Sequence, residues 1–111
     1  MFGFWKSKPL VTISPEEAHR RAKAGEILLV DVREKGEWAQ MRVAGANHAP
    51  LSDLGRRLKG LTADKPIVFY CLTDRRSGMA VRMARRLGLP HETHMKGGIA
   101  AWRAAGLPVV N

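Results

Sequence analysis

Ile67-Val68-Phe69-Tyr70-Cys71-Leu72-Thr73-Asp74-Arg75-Arg76-Ser77 is the stretch on which the fold turns. Its first four residues form an unbroken apolar run after Lys65-Pro66, the pattern of a strand buried in a parallel sheet. A polar loop, Leu72 to Arg76, follows the cysteine. From Ser77 onward, Ala80, Val81, Ala84 and Leu87 recur at helical spacing and predict a helix that packs on the core and stops at Gly88. Arg82, Arg85 and Arg86 fall mainly on its solvated side.

The same alternation extends to both ends. Ser14-Pro15-Glu16-Glu17 predicts a helix start, with a capping serine, proline at the first helical position and acids at the positive end of the dipole. Ile27 to Val30 is a second buried strand, with Asp31 at its C-terminal end. Glu34 to Met41 predicts a short helix. Gly45 to Pro50 predicts a turn and a short extended piece. Leu51, Leu54, Leu58 and Leu61 mark a further helix that Ser52 or Asp53 can cap. His91 to Met95 is a weaker strand, broken by Gly97-Gly98 before a last helix, Ile99 to Ala104. Strands alternating with helices predict an α/β fold in three layers, a parallel sheet with helices on both faces. Residues 1–11 read as an N-terminal extension and residues 12–111 as one domain.

Composition narrows the function classes. The chain has 111 residues, 45% apolar and 26% charged, the balance of a soluble globular protein. One cysteine allows no internal disulfide and no multi-cysteine zinc or iron–sulfur site. The absence of a disulfide suits a reducing cytosol, so a cytoplasmic location is expected. Phe2, Phe4 and Trp5 are interrupted by Lys6 and Lys8 too soon for a signal peptide or membrane span. The formal charge of +9 favours anionic partners, yet the basic residues are scattered and form no nucleic-acid motif. His19, His48, His91 and His94 show no metal-ligand spacing, and no metal is expected. Trp38 and Trp102 read as core aromatics, and Met79, Met83 and Met95 as packing residues.

Chemistry concentrates on Cys71. In an open parallel sheet, ligands bind outside the carboxyl ends of the strands, and Cys71 stands at such an end. The helix that follows turns unpaired N–H groups and its positive end toward the loop. Arg75 and Arg76 add positive charge. Such surroundings favour a thiolate, the form in which cysteine is a nucleophile. A buried strand-end cysteine can also be plain packing, but packing needs no polar, twice-basic loop entering a helix.

Three stretches, in this order and spacing, resemble the rhodanese family over about residues 12–110. They are LLVDVREKGEWAQMRVAGANHAPL (Leu28 to Leu51), IVFYCLTDRRS (Ile67 to Ser77) and KGGIAAWRAAGLPVV (Lys96 to Val110). The resemblance implies a sulfurtransferase. Cys71 would take sulfane sulfur from a small anionic donor such as thiosulfate, hold it as a persulfide, and pass it to cyanide, a thiol or a protein acceptor. No separate cofactor is needed. Backbone N–H groups of Leu72, Thr73, Asp74, Arg75, Arg76 and Ser77 would cradle donor and persulfide, and Arg76 would close the loop. Asp31, Arg33 and Glu34 would support the loop, with Glu37 as a further partner for Arg76. Met41-Arg42 stand where the family usually has Gly-His, and Asp74 stands where a small residue is common. An inward Asp74 carboxylate would repel thiosulfate; an outward one could pair with Arg75 or a partner protein.

Two other classes remain open. One is a binding or regulatory module that keeps the fold without useful turnover. The other is a cysteine-based phosphatase or arsenate reductase. Those enzymes place five residues between cysteine and arginine, whereas four separate Cys71 from Arg76 here and Ser77 takes the arginine's place.

Overall fold

Alternating apolar strands and amphipathic helices assemble as the sequence predicts in the computed structural model, which describes residues 9–61 and 64–111. The aromatic segment Phe2, Phe4 and Trp5 lies outside those residues. In chain order the elements are β1 (Val11–Ile13), α1 (Pro15–Lys23), β2 (Leu28–Asp31), α2 (Lys35–Gln40), β3 (Arg42–Val43) and β4 (Asn47–His48). A 3-10 turn (Leu51–Asp53) then leads into α3 (Leu54–Gly60), followed by β5 (Ile67–Tyr70), α4 (Arg75–Arg86), β6 (Thr93–Met95), α5 (Gly98–Ala104) and β7 (Val109–Val110). Five strands form a parallel sheet in the order β1-β6-β5-β2-β4, so β5 is central. β3 and β7 form a small antiparallel pair. Val11, read as the last residue of an extension, already belongs to the sheet.

Alternation along β5 builds the two faces. Ile67 and Phe69 point to a core completed by Leu54 and Leu58 of α3 and by Ala80, Val81 and Ala84 of α4. Cys71 continues this face. Val68 and Tyr70 point the other way, to Ala18 of α1 and to Ile99 and Trp102 of α5. The result is the three-layer α/β arrangement expected, with both sheet faces covered.

Local chemistry agrees with some expected helix ends and corrects others. Ser14 caps α1 as expected, its Oγ accepting the Glu17 N–H at 3.1 Å. Neither Ser52 nor Asp53 caps α3. The Ser52 hydroxyl donates to Glu34 Oε1 at 2.6 Å, and Asp53 pairs with Arg56 and Arg57. α4 starts at Arg75, two residues before the expected Ser77, because the Asp74 carbonyl already accepts the Gly78 N–H at 3.0 Å. Trp38 is not a core aromatic. It is half-buried, stacked on the His48 ring at 4.6 Å with the Arg42 guanidinium over its other part. Met79 is exposed rather than packed, whereas Met95 is fully buried.

Candidate active site

Cys71 follows the last residue of the central strand and is 2% exposed. The early start of α4 makes Ser77 the third helical residue, so its N–H has no partner within the helix. That N–H points at Cys71 Sγ, 3.3 Å away. The Ser77 hydroxyl also lies 3.5 Å from Sγ. The sulfur therefore sits against the N-terminal end of a twelve-residue helix, where donors and dipole favour negative charge.

A second helix holds the start of the loop. The Ile99 N–H donates to the Cys71 carbonyl at 2.9 Å, and the Ala100 N–H to the Leu72 carbonyl at 3.1 Å. Gly98 makes this approach feasible. Its φ is +59°, and a Cβ there would collide with the carbonyl oxygens of both Cys71 and Leu72. Leu72, Thr73, Asp74 and Arg75 form the exposed rim.

The structure divides the charged residues differently from expectation. Arg76 pairs with Glu37, which receives its Nη1 at 2.6 Å and its Nη2 at 2.9 Å. Glu37 Oε1 also accepts the Glu34 N–H at 3.1 Å, so the carboxylate that holds Arg76 is fixed to the start of α2. Asp31 and Arg33 form their own buried pair at 2.8 Å, and Arg33 donates to the Met41 carbonyl at 2.6 Å. They brace the turn after β2, with Tyr70 alongside; burial and the Asp31 charge push the Tyr70 hydroxyl well above its ordinary range. Glu34 engages Ser52, not Arg76. The Asp74 carboxylate accepts the Gly97 N–H at 2.8 Å, so it anchors the loop to the start of α5 rather than pairing with Arg75.

The Arg76 bond is the main reason that Glu37 is held down at about 2, from an ordinary value of 4.5. A depressed carboxylate contributes stability above pH 4.5 that is lost as pH falls through about 2. Both side chains are about a third exposed, so the contribution is under ~1 kcal/mol. Glu37→Gln should therefore melt lower than the parent near neutral pH, and the gap should close toward pH 2. An acid-independent gap in thermal melts would remove this ion pair from the loop's support.

One residue escaped the sequence reading. His94, on β6, is 5% exposed and its Nδ1 lies 2.7 Å from Ser77 Oγ. Neither spacing nor composition marks it, because its nearness to Cys71 depends on β6 lying beside β5. The other histidines serve structure: His48 Nε2 meets the Arg33 carbonyl, His91 accepts the Ile67 N–H, and His19 meets Trp102 edge-on.

Comparison with known proteins agrees with this geometry. The family model described as a rhodanese-like domain matches residues 14–105. The chain is 40% identical over 103 residues to the HTH-type transcriptional regulator Rv0324 of Mycobacterium tuberculosis, with 91% of this chain covered. It spans about half the length of the first curated relatives it matches, 56% and 45% of them. A sulfurtransferase of Allochromatium vinosum is 32% identical, with 84% of this chain and 87% of that protein covered. Among solved structures, a rhodanese-related protein of Thermoplasma volcanium superposes with a TM-score of 0.78 at 31% identity, covering 90% of this chain and 97% of its own. A Rhodopseudomonas palustris protein of unknown function, called a possible tyrosine phosphatase, superposes at 0.82 with 28% identity, covering 91% of this chain and 85% of its own. The family model over residues 14–105 and the relatives matched over most of both lengths agree: the chain belongs to the rhodanese-like domain family.

Proposed function

We propose that the protein is a sulfurtransferase that carries sulfane sulfur as a persulfide on Cys71. The observation that carries this reading is the Ser77 N–H aimed at Sγ from the first turn of α4, on a loop with four residues between cysteine and arginine. The relative named as a sulfurtransferase, alike over most of both lengths, supports it. The short loop argues against phosphate-ester chemistry, since Ser77 faces the sulfur where a phosphatase would need its arginine.

The thiolate attacks the outer sulfur of thiosulfate. A Cys71 S–S bond forms, the bond to the sulfite group breaks, and sulfite leaves with the electron pair. Cyanide or an acceptor thiolate then attacks the terminal sulfur, and the Cys71 thiolate leaves from it. No outside oxidant or reductant is consumed. The loop N–H groups from Leu72 to Ser77 stabilise the anionic terminal sulfur. Acceptors in the cell are thiols or proteins. In this reading Arg76 holds the loop shape through Glu37 and does not grip the donor.

The test is intact mass. Reduced protein incubated with thiosulfate should gain one sulfur atom, and cyanide should remove it with release of thiocyanate. A folded, reduced protein that gains no mass would leave the binding-module reading in its place. Phosphate release from an aryl phosphate would favour the phosphatase reading.

A further inference from the structure

Cys71 Sγ, Ser77 Oγ and His94 Nδ1 form a continuous buried chain, 3.5 Å and 2.7 Å apart, at residues 2%, 0% and 5% exposed. The thiol is almost closed to bulk water, and the Ser77 hydroxyl beside it offers its proton a route within the protein. A serine hydroxyl has one hydrogen and two lone pairs. When Nδ1 is bare, the short contact draws the Ser77 hydrogen to the ring, and the sulfur faces an oxygen lone pair that accepts from S–H. When Nδ1 carries a hydrogen, it donates to Oγ. The Ser77 hydrogen is then free to turn from the Asp74 carbonyl, 3.1 Å from Oγ, to Sγ, where it adds a second donor beside the Ser77 N–H.

We propose that His94, acting through the Ser77 hydroxyl, receives the proton of the Cys71 thiol and holds the resulting thiolate. The step balances: the S–H bond breaks as an Oγ–H bond forms, and the original Oγ–H breaks as Nδ1–H forms. The products are thiolate and imidazolium. The proposal rests on Cys71 being the reactive thiol. His94 is a positioning residue, since Ser77 stands between it and the sulfur.

The surroundings of His94 are named groups. Burial lowers its affinity for a second proton most, Asp74 from the start of α4 raises it, and Arg82 from the same helix lowers it. Arg76 carries its charge within reach of Cys71. From the flanking strands the register neighbours are Thr12 and Phe69, which do not titrate.

Alkylation of Cys71 by iodoacetamide tests this without any sulfur donor. His94→Leu should slow alkylation about tenfold near pH 7, and the deficit should close toward pH 10, where abundant hydroxide replaces His94 as the proton acceptor. Ser77→Ala should give a similar deficit. The double variant should be no slower than Ser77→Ala alone, because both changes cut one route. If His94→Leu fails to fold, His94→Gln replaces it, since glutamine has a methylene at its γ position and offers no polar atom where Nδ1 stands. Any of three results would overturn the proposal: no deficit near pH 7, a deficit of equal size at pH 10, or a His94 effect undiminished in the Ser77→Ala background. If the parent gains no sulfur from thiosulfate while the alkylation pattern holds, the sulfur-transfer reading alone fails.

Discussion

Cys71→Ser should lose sulfur loading completely and cut any thiosulfate–cyanide turnover at least about a thousandfold while the protein stays folded. A serine hydroxyl is smaller than a thiol, far less acidic and a much weaker nucleophile toward sulfur. Folding should survive because the new oxygen meets partners already in place. The Ser77 N–H points at that position, and the Ser77 hydroxyl lies beside it. A hydroxyl given such partners costs about 1 kcal/mol or less in an apolar pocket. The thermal midpoint should therefore move by only a few degrees. A folded Cys71→Ser protein that still gains sulfur would place the chemistry elsewhere.

Among the described glycines, Gly98→Ala should be the most damaging added methyl group. Two costs coincide there. Alanine at a φ of +59° is strained by about 1 kcal/mol or more. Its Cβ would also strike the carbonyl oxygens of Cys71 and Leu72, which are backbone atoms and cannot swing aside as a side chain can. Relief requires α5 to move off the loop, which breaks the Ile99 and Ala100 hydrogen bonds to those carbonyls. Together these costs exceed ~3 kcal/mol, or roughly 15 °C in thermal midpoint for a domain of this size. Sulfur loading should suffer as well, since the carbonyl of the loaded residue is one of the displaced atoms. Gly36→Ala is the control. Gly36 lies in α2 with nothing within 4 Å of an added Cβ and without a positive φ, so alanine there should be neutral or slightly stabilising. Equal melting points for the two variants would contradict this account of the loop.

Sequence patterning and tertiary placement contributed different parts of the site. The apolar run Ile67–Tyr70, the polar loop and the helical spacing of Ala80, Val81 and Ala84 are local features, governed by side-chain period and end effects. They determined a strand–cysteine–helix unit in an α/β sheet. The loop spacing of cysteine and arginine is likewise local, and it favours the proposed sulfur transfer over phosphate chemistry.

Contacts between elements distant in the chain followed no local rule. Asp31 at the end of β2, and Arg33, Glu34 and Glu37 after it, were all candidates to brace the loop. Only Glu37 faces Arg76, because α2 turns its third helical residue toward the start of α4 while Asp31 is taken by Arg33. The orientation of Asp74 was undecidable until α5 brought the Gly97 N–H to within 2.8 Å. His94 was invisible as a site residue because strand order, not sequence distance, sets β6 beside β5. The sequence by itself determined the fold class, the place of the proposed nucleophile Cys71 at a strand end and the loop that follows it, since each depends on residues within one turn or one strand. Only the tertiary structure decided which charges pair and which groups adjoin the Cys71 sulfur, since those depend on side chains brought together by packing across the sheet.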